Sequence, residues 1–220
     1  THHQASMKAF ETFSDLELIQ KIEVGEIELF ELIIRRYNPF LYRTGRSYNY
    51  NHEDTQDLMQ DTFIDAFRNL SKFENRSSFK TWLIKIMLNN CYKNQHKWGK
   101  KHIISSEINH HDTPLFSDKT HTETFKTVMN RELNFVIEQA LQQIPIDYRI
   151  VFTLREVNGM NVIETADALN ISDSNVKVRL NRAKSMLRKE VEKSYSPEDI
   201  FEFNLMYCDG MVRRVMKHLI

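Results

Sequence analysis

The chain has 220 residues, enough for one domain or two small ones, and its 30 basic and 30 acidic residues cancel to a net charge of zero. Only five Gly and four Pro favour a mostly helical protein, and bulk charge points to no nucleic-acid partner. Cys91 and Cys208 are too few and too far apart for a disulfide framework or a metal knuckle, and no apolar run reaches membrane length. A cytoplasmic protein without membrane insertion is therefore expected. Met7 reads as the natural start, residues 1–6 are set aside, and the opening stretch has no signal-peptide core.

Charge is unevenly distributed. Glu11, Asp15, Glu17, Glu23, Glu26, Glu28 and Glu31 make the start acidic, whereas residues 80–101 and 177–193 are rich in Lys and Arg. Opposite patches under a neutral total suit a protein with both a protein partner and a nucleic-acid partner. Apolar periodicity is dense over 14–98, lapses over 99–124, resumes over 125–193 and leaves a tail of 194–220. The lapse contains Gly99, Pro114 and many polar residues, the composition of a linker.

Ser14 is a plausible cap for a first helix, and a second runs from about Glu26 to Tyr37 ahead of Pro39. From His52, Met59, Phe63, Ala66, Phe67 and Leu70 form an apolar stripe, while Asp54, Asp57, Asp61 and Asp65 form a carboxylate row on another face. Like charges at i, i+4 cost a helix a few tenths of a kcal/mol per pair. The row thus points weakly to a basic partner, against the plainer reading of a solvated face. A turn over 72–79 leads to a helix from Lys80 to about Lys97. Trp82, Leu83, Ile86, Met87 and Asn90 are placed on one side of it, with Lys85, Asn89, Lys93 and His96 opposite. Cations and amides flanked by Tyr92 and Trp98 suit phosphate contact plus base stacking, or simply a soluble face.

In the second half, Pro145 suits the first position of a helix reaching about Val157, followed by an Asn158-Gly159 turn. A short helix Val162–Leu169, Asn170 at a left-handed position and a cap at Ser172 lead into a long helix from Asp173 past Arg188. With small Ala166 at the crossing, this is a helix-turn-helix pattern. Val176, Leu180, Ala183 and Leu187 would bury, leaving Ser174, Lys177, Val178, Asn181 and Ser185 outward, with Asn175, Arg182 and Arg188 on the flanks. Asn and Lys can read base edges, Val can meet a thymine methyl, and Arg182, Lys184, Arg188 and Lys189 can meet phosphates. The alternative is a helical hairpin with a charged surface.

Two stretches resemble one family. His52-Glu-Asp-Thr-Gln-Asp-Leu-Met-Gln-Asp-Thr-Phe, with Phe67-Arg-Asn-Leu, Phe73, Ser78-Phe-Lys-Thr-Trp-Leu-Ile-Lys-Ile and Asn89-Asn90, resembles region 2 of sigma-70 factors, and of the extracytoplasmic-function (ECF) group in particular. Leu141-Gln-Gln-Ile-Pro-Ile-Asp-Tyr-Arg, with Glu164-Thr-Ala, Leu169, Ile171-Ser and Asn175-Val-Lys-Val-Arg-Leu-Asn-Arg-Ala-Lys, resembles region 4. Together they cover about three quarters of the chain.

The resemblance implies an all-α protein of two small helical domains: 7–98 as region 2, 99–124 as a flexible linker, and 125–193 as the region 4 helix-turn-helix. A helical C-terminal extension follows over 194–220. It implies core RNA polymerase as a partner through its β′ clamp helices and β flap, promoter DNA, and an anti-sigma protein. Asp54, Asp57, Leu58, Gln60 and Asp61 would dock on the clamp helices. Asn75, Arg76, Ser77 and Ser78 would form the loop that captures a flipped base of the minus-ten element, at a cost of a few kcal/mol. Lys80, Trp82, Lys85, Asn89, Asn90 and Lys93 would contact that element. Ser174, Asn175, Lys177, Val178, Asn181 and Arg182 would read the minus-thirty-five element, with Lys184 and Arg188 on its phosphates.

Three positions depart from the family: Thr165 in Glu164-Thr-Ala, Asn170 for a common Gly, and Val178 for a small polar residue. The promoter sequence therefore does not carry over. In the tail, Ser196-Pro197-Glu198-Asp199 starts a helix on which Phe201, Leu205, Cys208, Val212, Val215 and Leu219 recur. That helix would pack on region 4 or offer a regulatory surface. There is no phosphate-cradling Gly loop, His-Glu-x-x-His or nucleophile elbow, so no catalytic residue or cofactor is expected. His102, His110, His111 and His121 lack metal-ligand spacing with Cys or acids, so no metal is expected either. The rival readings are a helix-turn-helix regulator that works without polymerase and a helical adaptor that binds only proteins.

Overall fold

The computed structural model describes residues 13–98 and 125–194, together with residue 216, and every regular element among these residues is helical. The linker 99–124, with His102, His110, His111 and His121, lies outside them, as do tail positions Phe201, Leu205, Cys208, Val212, Val215 and Leu219. Ser14 caps α1 (Asp15–Glu23) in a capping box: its Oγ accepts from the Glu17 N–H at 3.3 Å, and the Glu17 carboxylate accepts from the Ser14 N–H at 2.7 Å. The Ser14 hydroxyl, which donates to the same carboxylate at 2.7 Å, and the Ser14 N–H together hold the Glu17 carboxyl below the usual carboxylate range. Asp15 ties α1 to the next helix by accepting from Arg36 and from the Tyr37 hydroxyl. Burial and that carboxylate push the Tyr37 hydroxyl pKa up.

A single 3-10 turn, Ile27–Leu29, enters α2 (Phe30–Arg46), which runs through Pro39 instead of stopping before it. An internal proline costs a helix about 3 kcal/mol. Ile33, Tyr37, Leu41 and Thr44 are buried on both sides of it, and one fully buried aliphatic side chain returns about 1.5–3 kcal/mol. Packing thus outweighs the local rule. Gly45 explains how closely α2 can approach its neighbours: a Cβ there would lie 2.7 Å from Thr55 Cγ2 and 2.8 Å from Met87 Cε.

Asn51 caps α3 (His52–Arg68) through its side chain, which accepts from the Asp54 N–H at 2.7 Å. The face that α3 buries carries Thr55, Leu58, Thr62, Phe63 and Ala66, with Leu70 just beyond the helix. Phe67 instead remains 38% exposed and meets Phe30 edge-on at 5.1 Å, and Met59 is half-buried. The expected stripe was rotated because two buried threonines complete the seam: Thr55 and Thr62 return their hydroxyls to Asn51 O and Leu58 O. In α4 (Phe79–Trp98) the buried side is Leu83, Ile84, Met87, Leu88 and Cys91. Burial also pushes the Cys91 thiol pKa up. Trp82, Ile86 and Asn90 are not opposite Asn89 and Lys93 as the sequence reading had them; they share one flank with them.

The C-terminal half comprises α5 (Phe125–Gln143), α6 (Ile146–Phe152), α7 (Val162–Leu169) and α8 (Asp173–Ser194). Pro145 is the cap of α6, one position earlier than expected. Past α6 the helix widens into a π turn over Thr153–Val157, closed by the Asn158 N–H on Thr153 O at 2.8 Å. Asn161 and Glu164 form a second capping box, and Asn170 ends α7 in the left-handed region at φ 52°.

The two halves share a core. Ile150, Leu154 and Met160 belong to the apolar cluster of Leu18, Ile33, Leu41, Leu83, Ile84 and Met87, while Val151, Ala166 and Val176 form a smaller one. Polar contacts lock the junction. Arg46 pairs with Glu138 at 2.9 Å, both buried. Buried Arg149 donates to the carbonyls of Ser47 at 2.7 Å, Gln142 at 2.9 Å and Leu141 at 3.3 Å. Burial lowers the Arg149 pKa to about 10, which leaves it charged at neutral pH. No helix among the described residues is long and apolar enough to cross a membrane.

Candidate nucleic-acid interface

Between the end of α3, the Leu70–Lys72 turn and α4 opens a cleft of about 380 Å³, lined by Asp65, Asn69, Lys72, Trp82, Ile86, Asn89, Asn90 and Lys93. Trp82 is braced by Phe73 and Phe79, each ring centre 5.4 Å away. Asn90 Nδ2 donates to Asp65 Oδ2 at 3.2 Å and to Thr62 Oγ1 at 3.3 Å, which fixes the amide and the carboxylate against each other. Lys72 Nζ donates to Asn69 Oδ1 at 2.7 Å on the opposite rim. A braced aromatic wall, amides, an acceptor for an exocyclic amino group and two lysines are chemically suited to an unpaired base and its phosphates. Four of the expected minus-ten residues, Trp82, Asn89, Asn90 and Lys93, meet here. Asp65, Asn69 and Lys72 join them without having been expected, and their i, i+4 and i+3 steps from the acidic row were the available clue.

The loop 74–78 is built on Asn75, whose φ of 54° is left-handed. Asn75 and Arg76 are exposed, and Arg76 pairs with Glu74. Ser78 Oγ accepts from the Thr81 N–H at 3.2 Å and so starts α4. Ser78, Lys80 and Lys85 are not part of the cleft; Ser78 and Lys85 face α7 of the C-terminal half, and Lys80 faces the Asn158 carbonyl ahead of it. Tyr92 is 58% exposed and carries the His96 ring at 4.2 Å.

On α8 the predicted split between faces holds. Val176 and Ala183 are fully buried and Leu180 and Leu187 half-buried, whereas Ser174, Lys177, Val178, Asn181, Arg182, Lys184, Ser185 and Arg188 are exposed. Asn175 is half-buried, and its Oδ1 accepts from Arg179 Nε at 3.0 Å. Arg179, which was not singled out from the sequence, thus orients an amide at the exposed start of the helix. Arg182 reaches Tyr148 Oη at 3.3 Å, and Lys184 pairs with Glu156 at 3.0 Å.

The carboxylate row runs along α3 and ends at Asp65 in the cleft. Asp57, Gln60 and Asp61 are exposed and Asp54 half-buried, with Ile64 at 39% and Phe67 at 38% exposure beside them. Leu58 differs: it is 6% exposed and anchors α3 to the core instead of facing outward.

Comparison with known proteins gives this arrangement a lineage. Residues 33–97 match the Sigma-70 region 2 family and residues 135–187 the Sigma-70 region 4 family. The chain is 25% identical over 189 residues to the RNA polymerase sigma-H factor of Pseudomonas aeruginosa, covering 81% of this chain and 94% of that one. It is 26% identical over 178 residues to the ECF RNA polymerase sigma factor SigW of Bacillus subtilis, covering 79% and 94%. Its fold is similar to that of CnrH in complex with the cytosolic domain of CnrY, with a TM-score of 0.60 at 22% identity, covering 82% and 99%. It is also similar to the sigma factor RpoE of Bartonella quintana in complex with the anti-sigma factor NepR, with a TM-score of 0.57 at 21% identity, covering 74% and 96%. Both matched regions, in order on one helical scaffold, make the chain a member of the sigma-70 family. Within that family it belongs to the ECF type.

Proposed function

We propose that the chain is a sigma factor: it binds core RNA polymerase and directs transcription initiation at specific promoters. One observation carries this reading. An exposed carboxylate row on α3, a cleft suited to an unpaired base and a basic exposed face on α8 occur together in one small chain that matches both sigma regions. A regulator acting on duplex DNA alone would need α8 but has no use for the first two.

Asp54, Asp57, Gln60 and Asp61 are assigned to the clamp helices of β′, whose basic partner groups would offset the repulsion within the row. Leu58 supports that face from below. Trp82, Asn89, Asn90 and Lys93, together with Asp65, Asn69 and Lys72, are assigned to an unpaired minus-ten base and its strand. The loop at Asn75, Arg76, Ser77 and Ser78 edges that site, and Lys80 and Lys85 extend it. Exposed Ser174, Lys177, Val178, Asn181 and Arg182, with Asn175 at their edge, are assigned to the minus-thirty-five element, and Lys184 and Arg188 to its phosphates. Region 2 over 7–98, the linker 99–124, region 4 over 125–193 and the extension 194–220 are the units of this scheme. The relatives are initiation factors, so the role is one of recognition and not catalysis, exerted where the polymerase works, in the cytoplasm. An anti-sigma protein is proposed as a further partner because one structural neighbour is a sigma factor in complex with an anti-sigma factor.

Run-off transcription with core polymerase and a genomic fragment library tests the assignment. The expected result is a small set of discrete transcripts that require the chain. Transcripts identical with and without it would contradict the proposal.

A further inference from the structure

The first turn of α8 carries an amide whose orientation is fixed. Asn175 lies in that turn, where its N–H donates to Ser172 Oγ at 3.3 Å and its side-chain Oδ1 accepts from Arg179 Nε at 3.0 Å. A guanidinium has donors and no acceptor, so the amide atom turned toward Arg179 can only be the oxygen. Arg179 follows Asn175 by four residues and so shares its side of the helix. It is half-buried, and its Nη1 lies 3.8 Å from the Asp147 carboxylate in the first turn of α6. Asp147 is 67% exposed, so this pair orients the guanidinium more than it stabilises the fold. The Asn175 Nδ2 has no acceptor among the described residues and does not count among their buried unpaired atoms.

Residues at the start of a recognition helix are the ones that meet base edges. Asparagine ordinarily selects adenine there with both ends of its amide, Oδ1 accepting from N6 and Nδ2 donating to N7. In this chain one lone pair of Oδ1 is taken by Arg179, and the other lies beside a positive guanidinium that repels an incoming amino group. The amide is left to act through Nδ2, as a donor. Guanine is the base whose major-groove edge carries two acceptors, N7 and O6, and no amino group, whereas thymine offers one acceptor beside a methyl. We propose that Asn175 reads guanine at one position of the minus-thirty-five element, with Arg179 as the positioning residue that turns it away from adenine. The inference rests on the reading of α8 as the helix that meets that element.

Transcription by core polymerase and the full chain from promoters randomised across the minus-thirty-five element tests this, with the sequenced transcripts as readout. The parent is expected to prefer guanine to adenine at one position by at least about fivefold, the lower end of what one base-edge pair discriminates. Asn175→Ala loses the preference at that position alone. Arg179→Met releases Oδ1, and adenine gains on guanine there by at least about fivefold. Arg179→Lys, which still brings a cation and an N–H to Oδ1, keeps guanine. Asn175→Asp replaces the donor by an acceptor in a first helical turn, where a carboxylate suits the dipole, and the preference passes to a base that carries an amino group. A thermal melt accompanies each variant, and if Arg179→Met does not fold, Asn175→Asp decides alone. A parent preference for adenine at the position that depends on Asn175 overturns the inference and leaves the sigma assignment standing. So do variants that lower transcription from every promoter alike without changing the base preferred. Absence of any transcript that requires the chain removes both.

Discussion

Reversing two charges on α3, Asp57→Lys with Asp61→Lys, is expected to weaken binding to core RNA polymerase about a hundredfold while leaving the fold intact. Close charge pairs across protein interfaces couple by about 1.5 kcal/mol or more each. Two lost pairs therefore amount to roughly 3 kcal/mol, and each 1.4 kcal/mol is about a factor of ten. Both side chains are exposed and bury nothing. Breaking up the i, i+4 row should even return a few tenths of a kcal/mol to the helix. Competition binding to core polymerase, read beside a thermal melt, separates the two effects. An unchanged polymerase affinity would reduce the row to an ordinary solvated surface.

Glu138→Ala is expected to destabilise the chain by about 3–5 kcal/mol, the usual effect of stranding one member of a buried ion pair. Arg46 and Glu138 are 7% and 6% exposed and meet at 2.9 Å across the junction of the two halves. Removing the carboxylate leaves a buried guanidinium whose remaining contacts include the Tyr50 carbonyl at 3.0 Å. For a chain of this size the loss corresponds to a fall in Tm of roughly 10 °C. The double variant Arg46→Met with Glu138→Leu should recover most of it, because the desolvation cost of both charges disappears together. If Glu138→Ala melted like the parent, the pair would not be holding the halves together.

Local chemistry was legible in the sequence wherever one residue type decides one backbone conformation. Ser14 caps its helix through its own side chain, Asn170 ends its helix in the left-handed region, and α8 turns inward the face that its spacing indicates. What failed was decided by packing across elements. Pro39 reads as a stop, yet the side chains buried around it carry α2 onward. Thr55 and Thr62 read as polar, yet they hydrogen-bond their own helix and enter the core, which turned the expected stripe on α3. The cleft was half visible: the family resemblance groups Trp82, Asn89, Asn90 and Lys93 although helical spacing alone separates them, whereas Asp65, Asn69 and Lys72 come from elements whose placement no local pattern gives. The shared core and the position of α7 over Lys85 are longer-range still.

The central claim is that this chain reads DNA productively as a subunit of RNA polymerase. Footprinting of one promoter found by run-off transcription, with the chain alone, with core polymerase alone and with both, tests it most directly. Protection over the minus-ten and minus-thirty-five elements, with strand opening, is expected only when both are present. Tight, sequence-specific protection by the chain alone, with no association with core polymerase, would contradict it.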